Sequence, residues 1–261
     1  MSFPVTVGLL PGDEKETSTD KLRALGTRGQ TPDGRVFYWA QNGATQLEGN
    51  VLVQTAVMHG ASVHGSALDV VGATTTGKTT ITVTLATTDA GRDLYADGYL
   101  SIDTSPGRGM YQIDSHAAGA SAADVVFNLK ESDPLRDALT SGTTKVGIRQ
   151  NPYRAVVVTP TTKTGIALGT TSGVVAASGA AVDGIHADPV YFWVQTFGPA
   201  LVKADAAFVA GSNVITPGAS AGNATPAVST AGEGVFQIIG TAPTIGAGDE
   251  KFNFIFLSIR A

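Results

Sequence analysis

Gly72-Ala73-Thr74-Thr75-Thr76-Gly77-Lys78-Thr79 fits the pattern GxxxxGK[ST] in full. In a phosphate-binding loop those glycines let backbone amides wrap the phosphates, and the lysine reaches the terminal ones. The chemistry needs a helix that begins at the lysine, so that its N-terminal amides and dipole meet the anion. Here Thr79-Thr80-Ile81-Thr82-Val83-Thr84-Leu85 follows, β-branched and alternating, which is strand patterning. No later buried strand ends in a plain Mg²⁺-binding Asp within an alternating β/α pattern. The stretch is therefore expected to be a hairpin turn between Leu68–Val71 and Thr79–Thr87, with Lys78 at its tip. An enzyme using Lys78 and Thr79 is the alternative.

The other chemistry-bearing residues are dispersed. His59 and His64 are five apart, which suits neither one helix face nor one strand face, and His116 and His186 stand alone. All four are expected to be solvated loop histidines, with no metal site. Asp97, Asp103 and Asp114 sit among Gly, Ser and Thr, where Asp side chains cap local backbone. Ser220 is central in Gly218-Ala219-Ser220-Ala221-Gly222, but neither the strand before it nor the helix after it that a nucleophile elbow needs is indicated. No catalytic constellation emerges, and no cofactor is expected.

The elements that would position these residues are strands. Thirty-two Gly and twelve Pro in 261 residues, with abundant Ala and Thr, point to short strands and many turns. Charged residues make up 15% of the chain, below the roughly 25% of soluble domains, a lean toward a surface covered by other protein. The formal charge of −5 and the scattered 17 basic residues argue against nucleic acid. The absence of cysteine removes disulfides and thiolate chemistry. No secretory signal and no bilayer-length apolar run is evident, so a soluble protein folded in a cytoplasm is expected.

An internal repeat organises the chain. Phe37-Tyr38-Trp39-Ala40-Gln41 and Tyr191-Phe192-Trp193-Val194-Gln195 each carry one of the two tryptophans at their third place. In each copy a Gly-Ala or Gly-Pro-Ala break follows, then a second Gly opening an aliphatic strand. The two glycines are six positions apart in the first copy (43 to 49) and thirteen in the second (198 to 211), a difference of seven. The repeat suggests two related β units in sequence, residues 34–145 and 146–261, behind an N-terminal arm of residues 1–33. The arm is polar and aperiodic, either frayed or ordered along a neighbouring subunit.

Within the units, Ile81, Val83 and Leu85 alternate with polar neighbours, and Tyr95–His116 contains a β-hairpin. Ser132–Leu139 is the best helix candidate, with Asp133 or Ser132 as cap and Pro134 in the first turn. Phe252, Phe254 and Phe256 share one face of a last strand whose other face is also apolar, so that strand is expected to be buried on both faces. The aromatic pentads are expected to be core, with Tyr38 and Phe192 on the opposite face from the tryptophans and open to a partner.

Asp33-Gly34-Arg35-Val36-Phe37-Tyr38-Trp39-Ala40, Gly43-Ala44 and Leu47-Glu48-Gly49-Asn50-Val51-Leu52 resemble the opening of small phage head-decoration (capsid cement) proteins and related virion proteins. Tyr191 to Pro217, Ile239-Gly240-Thr241-Ala242 and Phe252 to Arg260 are similar again, and together these cover about half of the chain. The resemblance implies an all-β fold of two small β-barrel or β-tulip-like units, with one or two short helices and an extended arm. It implies a homotrimeric structural protein on the outer capsid surface, with the major capsid protein as partner and no nucleic acid or membrane contact. The expected interface residues are Tyr38, Phe192, Leu9, Leu10, Leu22 and Leu25. A tail component or a carbohydrate-binding β module is the alternative class.

Overall fold

The computed structural model describes residues 6–56, 64–104, 108–216, 218–227, 237–246, 248 and 251–259. The fold is all-β, and no α-helix occurs among the described residues. In chain order the first strands are β1 (Val7–Gly8), β2 (Thr17–Ser18), β3 (Arg28–Gln30), β4 (Val36–Gln41) and β5 (Leu52–Gln54), with a 3-10 turn at Asp13–Lys15. Next come β6 (Leu68–Asp69), β7 (Thr80–Thr84), β8 (Tyr99–Ile102), β9 (Gly109–His116), β10 (Asp124–Leu129) and β11 (Lys145–Arg149). After these follow β12 (Val157–Val158), β13 (Ala167–Thr171), β14 (Ala181–Val182), β15 (Ile185–His186) and β16 (Tyr191–Ala204). The chain closes with β17 (Asn213–Thr216), β18 (Thr225–Pro226), β19 (Gln237–Thr241) and β20 (Lys251–Ser258).

The compact units are nested in the sequence and do not follow one another as residues 34–145 and 146–261. The smaller comprises the described parts of Met58–Pro152 with Ala180–Ala187, and the larger those of Pro4–Val57, Tyr153–Gly179 and Asp188–Ala261. The physical reason lies in strand pairing. The chain leaves the larger unit after β5 and re-enters it at β12, which pairs antiparallel with β5 (Val157↔Gln54, Val158↔Val53). Most of the smaller unit is thus a long excursion between β5 and β12, and its Ala180–Ala187 part is a short one between β13 and β16, which also pair.

In the smaller unit six strands run in the order β6-β11-β8-β9-β10-β7. Val70, just past β6, bridges Val83 of β7, and Val71 N–H donates to Thr82 O, which brings the two ends of that order together into a barrel-like sheet. Alternation fills its inside. Ile81 and Val83 are buried opposite Phe127 and Val125, while Thr80 is exposed and Thr82 and Thr84 are half-buried. The predicted hairpin is present as β8–β9 (Tyr99↔Gln112, Leu100↔Tyr111). Ser132–Leu139 does not form the expected helix. Its Leu135 and Leu139 N–H groups donate to Lys78 O and Thr74 O, and both leucine side chains lie in the core. Long-range backbone partners and burial of two leucines win over a short capped helix.

The larger unit is a sheet of twelve described strands built along the fourteen-residue β16. The two aromatic pentads are neighbours in this sheet. They pair antiparallel with Tyr191↔Gln41, Phe192↔Ala40, Trp193↔Trp39, Val194↔Tyr38 and Gln195↔Phe37. The repeated phrases therefore make one core, not two. Trp39 and Trp193 meet edge-to-face at 4.9 Å between centroids, and Trp39 stacks on Tyr191 at 6.1 Å. Beyond Phe197 the second half of β16 pairs with β20, and the order continues through β19 and β17 to β18.

Residues 6–30 are part of this unit and not a free arm. β1 pairs parallel with β3, β3 pairs antiparallel with β4, and β2 pairs with Tyr191 and Phe192. Leu9 and Leu25 are buried in the tryptophan core. Gly29 is required there by close approach: a Cβ on it would lie 2.8 Å from Leu9 Cδ1 and 2.9 Å from Trp193 Cζ3.

Candidate functional site

The Gly72–Thr79 loop does not have the geometry of a phosphate cradle. Thr79 leads into β7, not a helix. Its amides are already engaged: Thr74 N–H donates to Leu139 O, Gly77 N–H to Leu135 O, Lys78 N–H to Thr75 O and Gly72 N–H to the Ser141 hydroxyl. A phosphate would have to displace a strand-like partner to reach them.

Three histidines are buried, against the expectation of solvated loops; His59 lies outside the described residues. His64 Nδ1 and the Tyr95 hydroxyl are 2.5 Å apart, and Tyr95 N–H donates to His116 Nε2 at 3.0 Å. The Tyr95, His116 and Phe127 rings pack together. Burial pushes the Tyr95 phenol well above its ordinary pKa. Asp97 and Asp114 both lie beside Lys130, at 3.6 and 2.6 Å, while Asp103 accepts from Ser101 at 3.0 Å. The Gly218–Gly222 run is a turn held by Asp205, whose carboxylate accepts from the Ala219 and Ser220 N–H groups and from Asn223 Nδ2. These groups are structural ties within loops and cores.

An open apolar face lies on β16 and β20. Their register sets Phe197, Pro199, Leu201 and Lys203 opposite Ser258, Phe256, Phe254 and Phe252 on one face. The other face pairs Gly198, Ala200 and Val202 with Leu257, Ile255 and Asn253 in the core. The three phenylalanines do share a face, as their spacing predicts, but that face is open: Phe252 is 53% exposed, Phe254 41% and Phe256 48%. Expected burial on both faces is thus corrected to one. Leu201 and Phe197 extend the open patch, and Phe254 and Phe256 meet edge-to-face at 5.4 Å. A hollow of about 210 Å³ beside Leu201 and Phe254 is rimmed by Lys15, Arg35, Asn50 and Gln195. This is an apolar centre with a polar edge, the anatomy of a protein-binding patch.

The residues expected at an interface fall elsewhere. Phe192, Leu9 and Leu25 are buried within the chain, because β2 and β3 and the segments around them cover the pentads. Tyr38 is half-buried and stacks on Tyr153 at 5.2 Å. Leu10 and Leu22 are exposed. Sequence reasoning named the phenylalanine triplet but put it in a core; the one available signal was its strict period of two, which a half-covered strand shares.

A second feature lies beside the tryptophan pair. A cavity of about 190 Å³ is lined by Leu9, Asp13, Glu16, Thr17, Ser18, Leu22, Arg23, Trp39 and Trp193. The Arg23 guanidinium carbon lies 5.8 Å from the Trp193 ring centroid. Nearby, Glu14 is buried; burial alone would raise its pKa, but the backbone N–H groups of Glu14 and Gly12 and the Arg35 guanidinium outweigh that and hold it below the ordinary carboxylate value.

Together these features define an all-β protein with an open aromatic sheet face and a small indole-lined cavity. No protein-family model matches the chain, and comparison with curated proteins and with solved structures yields no match.

Proposed function

We propose that the chain is a structural virion protein that binds an assembled phage capsid lattice on its outer surface and stabilises it. The observation that carries this reading is the open face of Phe252, Phe254, Phe256, Leu201 and Phe197. With about half of each side chain uncovered, the patch offers on the order of 400–500 Å², in the upper part of what a lone soluble protein exposes. Aromatic side chains at the centre of a rimmed patch are what protein interfaces favour. The partner is the major capsid protein, and the protein acts as a homotrimer. The resemblance of the Asp33–Leu52 and Tyr191–Pro217 phrases to head-decoration proteins supports this choice of partner.

The mechanism is mechanical. A patch of this size is smaller than the roughly 800 Å² per partner of a standard interface, so a single contact is weak. Repetition of the contact across a lattice and within a trimer multiplies it. The test is co-sedimentation with capsids built from the major capsid protein of the same genome, wild type against Phe254→Ser/Phe256→Ser. Saturable binding lost in the variant supports the proposal. A well-folded wild type that leaves such capsids bare would end it.

A further inference from the structure

We propose that the segment of residues 91–98 is an acid-released latch, held shut by neutral His116 and opened when that ring takes a second proton. The inference concerns the smaller unit alone and does not rest on the capsid reading. The segment precedes β8 and is a run of turns: Leu94 N–H donates to Gly91 O, Ala96 N–H to Asp93 O and Gly98 N–H to Tyr95 O. Asp93 and Asp97 sit at φ of 58° and 61°, a left-handed conformation disfavoured for residues with a Cβ, so outside contacts must hold the turns in place. Those contacts run to β9. Asp93 N–H donates to His116 O at 3.1 Å, His116 N–H to Asp93 Oδ1 at 2.8 Å, and Asp97 N–H to Ile113 O at 3.0 Å. Between them Tyr95 N–H donates to His116 Nε2 at 3.0 Å. One rung of the attachment is therefore an imidazole, standing where a backbone carbonyl would otherwise be.

The partners fix the protonation state of that ring. Nδ1 lies 2.7 Å from Ala117 O, which can only accept, so Nδ1 carries the proton. Nε2 accepts from Tyr95 N–H and is bare. A second proton on Nε2 would set two donors against each other and break this rung. His116 is 3% exposed and packs on the Phe127 and Tyr95 rings, at 4.8 and 5.5 Å between centroids, so the ring reaches water only as the segment moves. The surrounding groups give the cation little in return. Arg92, which lines a hollow with His116 and Asp93, is a like charge, and Asp93 Oδ1 is engaged by the His116 N–H. Asp97 and Asp114 are beside Lys130, and β10 contributes the uncharged Phe127. The Tyr95 hydroxyl meets His64 Nδ1 at 2.5 Å, and Arg149 of β11 donates to Gly65 O next to that histidine.

Opening frees His116 to water, where a histidine takes its second proton near about pH 6.5. The closed segment takes that proton only by giving up the Tyr95 bond. Opening is thus linked to proton uptake: the closed form holds fully above about pH 6.5 and loses ground about tenfold per pH unit below it, until the closed ring is itself protonated. Residue-resolved hydrogen exchange on the full chain, from about pH 7.5 to about pH 5, reads this. After correction for intrinsic exchange, protection of the Tyr95 amide is expected to fall about 30-fold over that range. The Val71 amide, bonded to Thr82 O in the same unit, is expected to keep its protection. His116→Gln retains an acceptor for Tyr95 N–H without the titration and is expected to abolish the fall, whereas His64→Gln and His186→Gln are expected to keep it. If His116→Gln does not fold, the wild-type ring answers alone: its nitrogen chemical shifts near neutral pH are expected to show Nδ1 protonated and Nε2 bare. The proposal is overturned by constant Tyr95 protection, by a fall that Val71 shares or that persists in His116→Gln, or by a neutral ring with its proton on Nε2.

Discussion

Along β20, adjacent residues face opposite environments, and this gives the sharpest prediction. Phe254 and Phe256 are 41% and 48% exposed, while Ile255 between them is fully buried beside Ala200, Val202, Val214 and Leu257. A Phe side chain offers about 150–250 Å², so each ring leaves on the order of 100 Å² open. Covering that area contributes about 2–2.5 kcal/mol at roughly 25 cal/mol per Å². Truncating one ring is then expected to weaken capsid binding on the order of 50-fold and to change the stability of the free protein little. Ile255→Ala is expected to do the reverse to the free protein, costing about 2–5 kcal/mol of stability through a cavity in the core. The assays are co-sedimentation with capsids and chemical unfolding followed by tryptophan fluorescence, which reports the unit that contains β20. The reasoning fails if Phe254→Ser destabilises the free chain as much as Ile255→Ala, or if Phe254→Ser/Phe256→Ser binds capsids as wild type does.

Deleting residues 1–30 is expected to unfold the larger unit, because it strips β1, β2, β3, Leu9 and Leu25 from the tryptophan core; a truncated chain with unshifted emission and unchanged melting would contradict this. The lowered folded-state pKa of Glu14 contributes stability that is fully present above its ordinary value of 4.5 and lost as pH falls through the lower folded value. Glu14→Gln is therefore expected to lower Tm near neutral pH and to flatten the acid limb below about pH 4.5; an acid limb as steep as that of wild type would refute the assignment. Neither the wild type nor Lys78→Ala is expected to bind ATP in equilibrium dialysis, since Thr74 and Gly77 N–H donate to Leu139 O and Leu135 O, Lys78 N–H to Thr75 O and Gly72 N–H to the Ser141 hydroxyl.

Much of this architecture was legible wherever a strand has one dry face. Ile81, Val83 and Leu85, the β8–β9 hairpin and the turn at Gly72–Thr79 follow from local alternation and turn chemistry. The residues that defeated sequence reading depend on partners far along the chain. Leu135 and Leu139 look like a capped helix until the Thr74–Lys78 loop is placed against them. His64 and His116 look isolated because Tyr95, which links them, is 31 and 21 positions away. Likewise, two matching aromatic phrases suggest two separate bodies, whereas matching phrases can equally be adjacent antiparallel strands whose like residues share one core. Nothing in the local pattern separates these cases. The cavity was illegible because its lining joins residues 9–23 to two tryptophans 154 positions apart (193 − 39).

The same fact explains why the open face lies where it does. Along β16, Tyr191 to Thr196 are buried on both faces, and from Phe197 onward exposure alternates. The change coincides with a handover of partners. β4 pairs with β16 as far as Phe197, with an irregular register between Gln195 and Phe197, and β20 pairs with it from Phe197 to Ala204. Residues 6–30 lie with the first half: β2 adds to Tyr191 and Phe192, and Leu9 and Leu25 pack on the tryptophans. Among the described residues no comparable segment covers the outer face of the second half, which is why Phe252, Phe254 and Phe256 stay open. The segment expected to be frayed or ordered along a neighbouring subunit thus covers this chain's own indoles, and the apolar surface that stays open is the sheet face of the second half, which it meets only at the edge through Lys15.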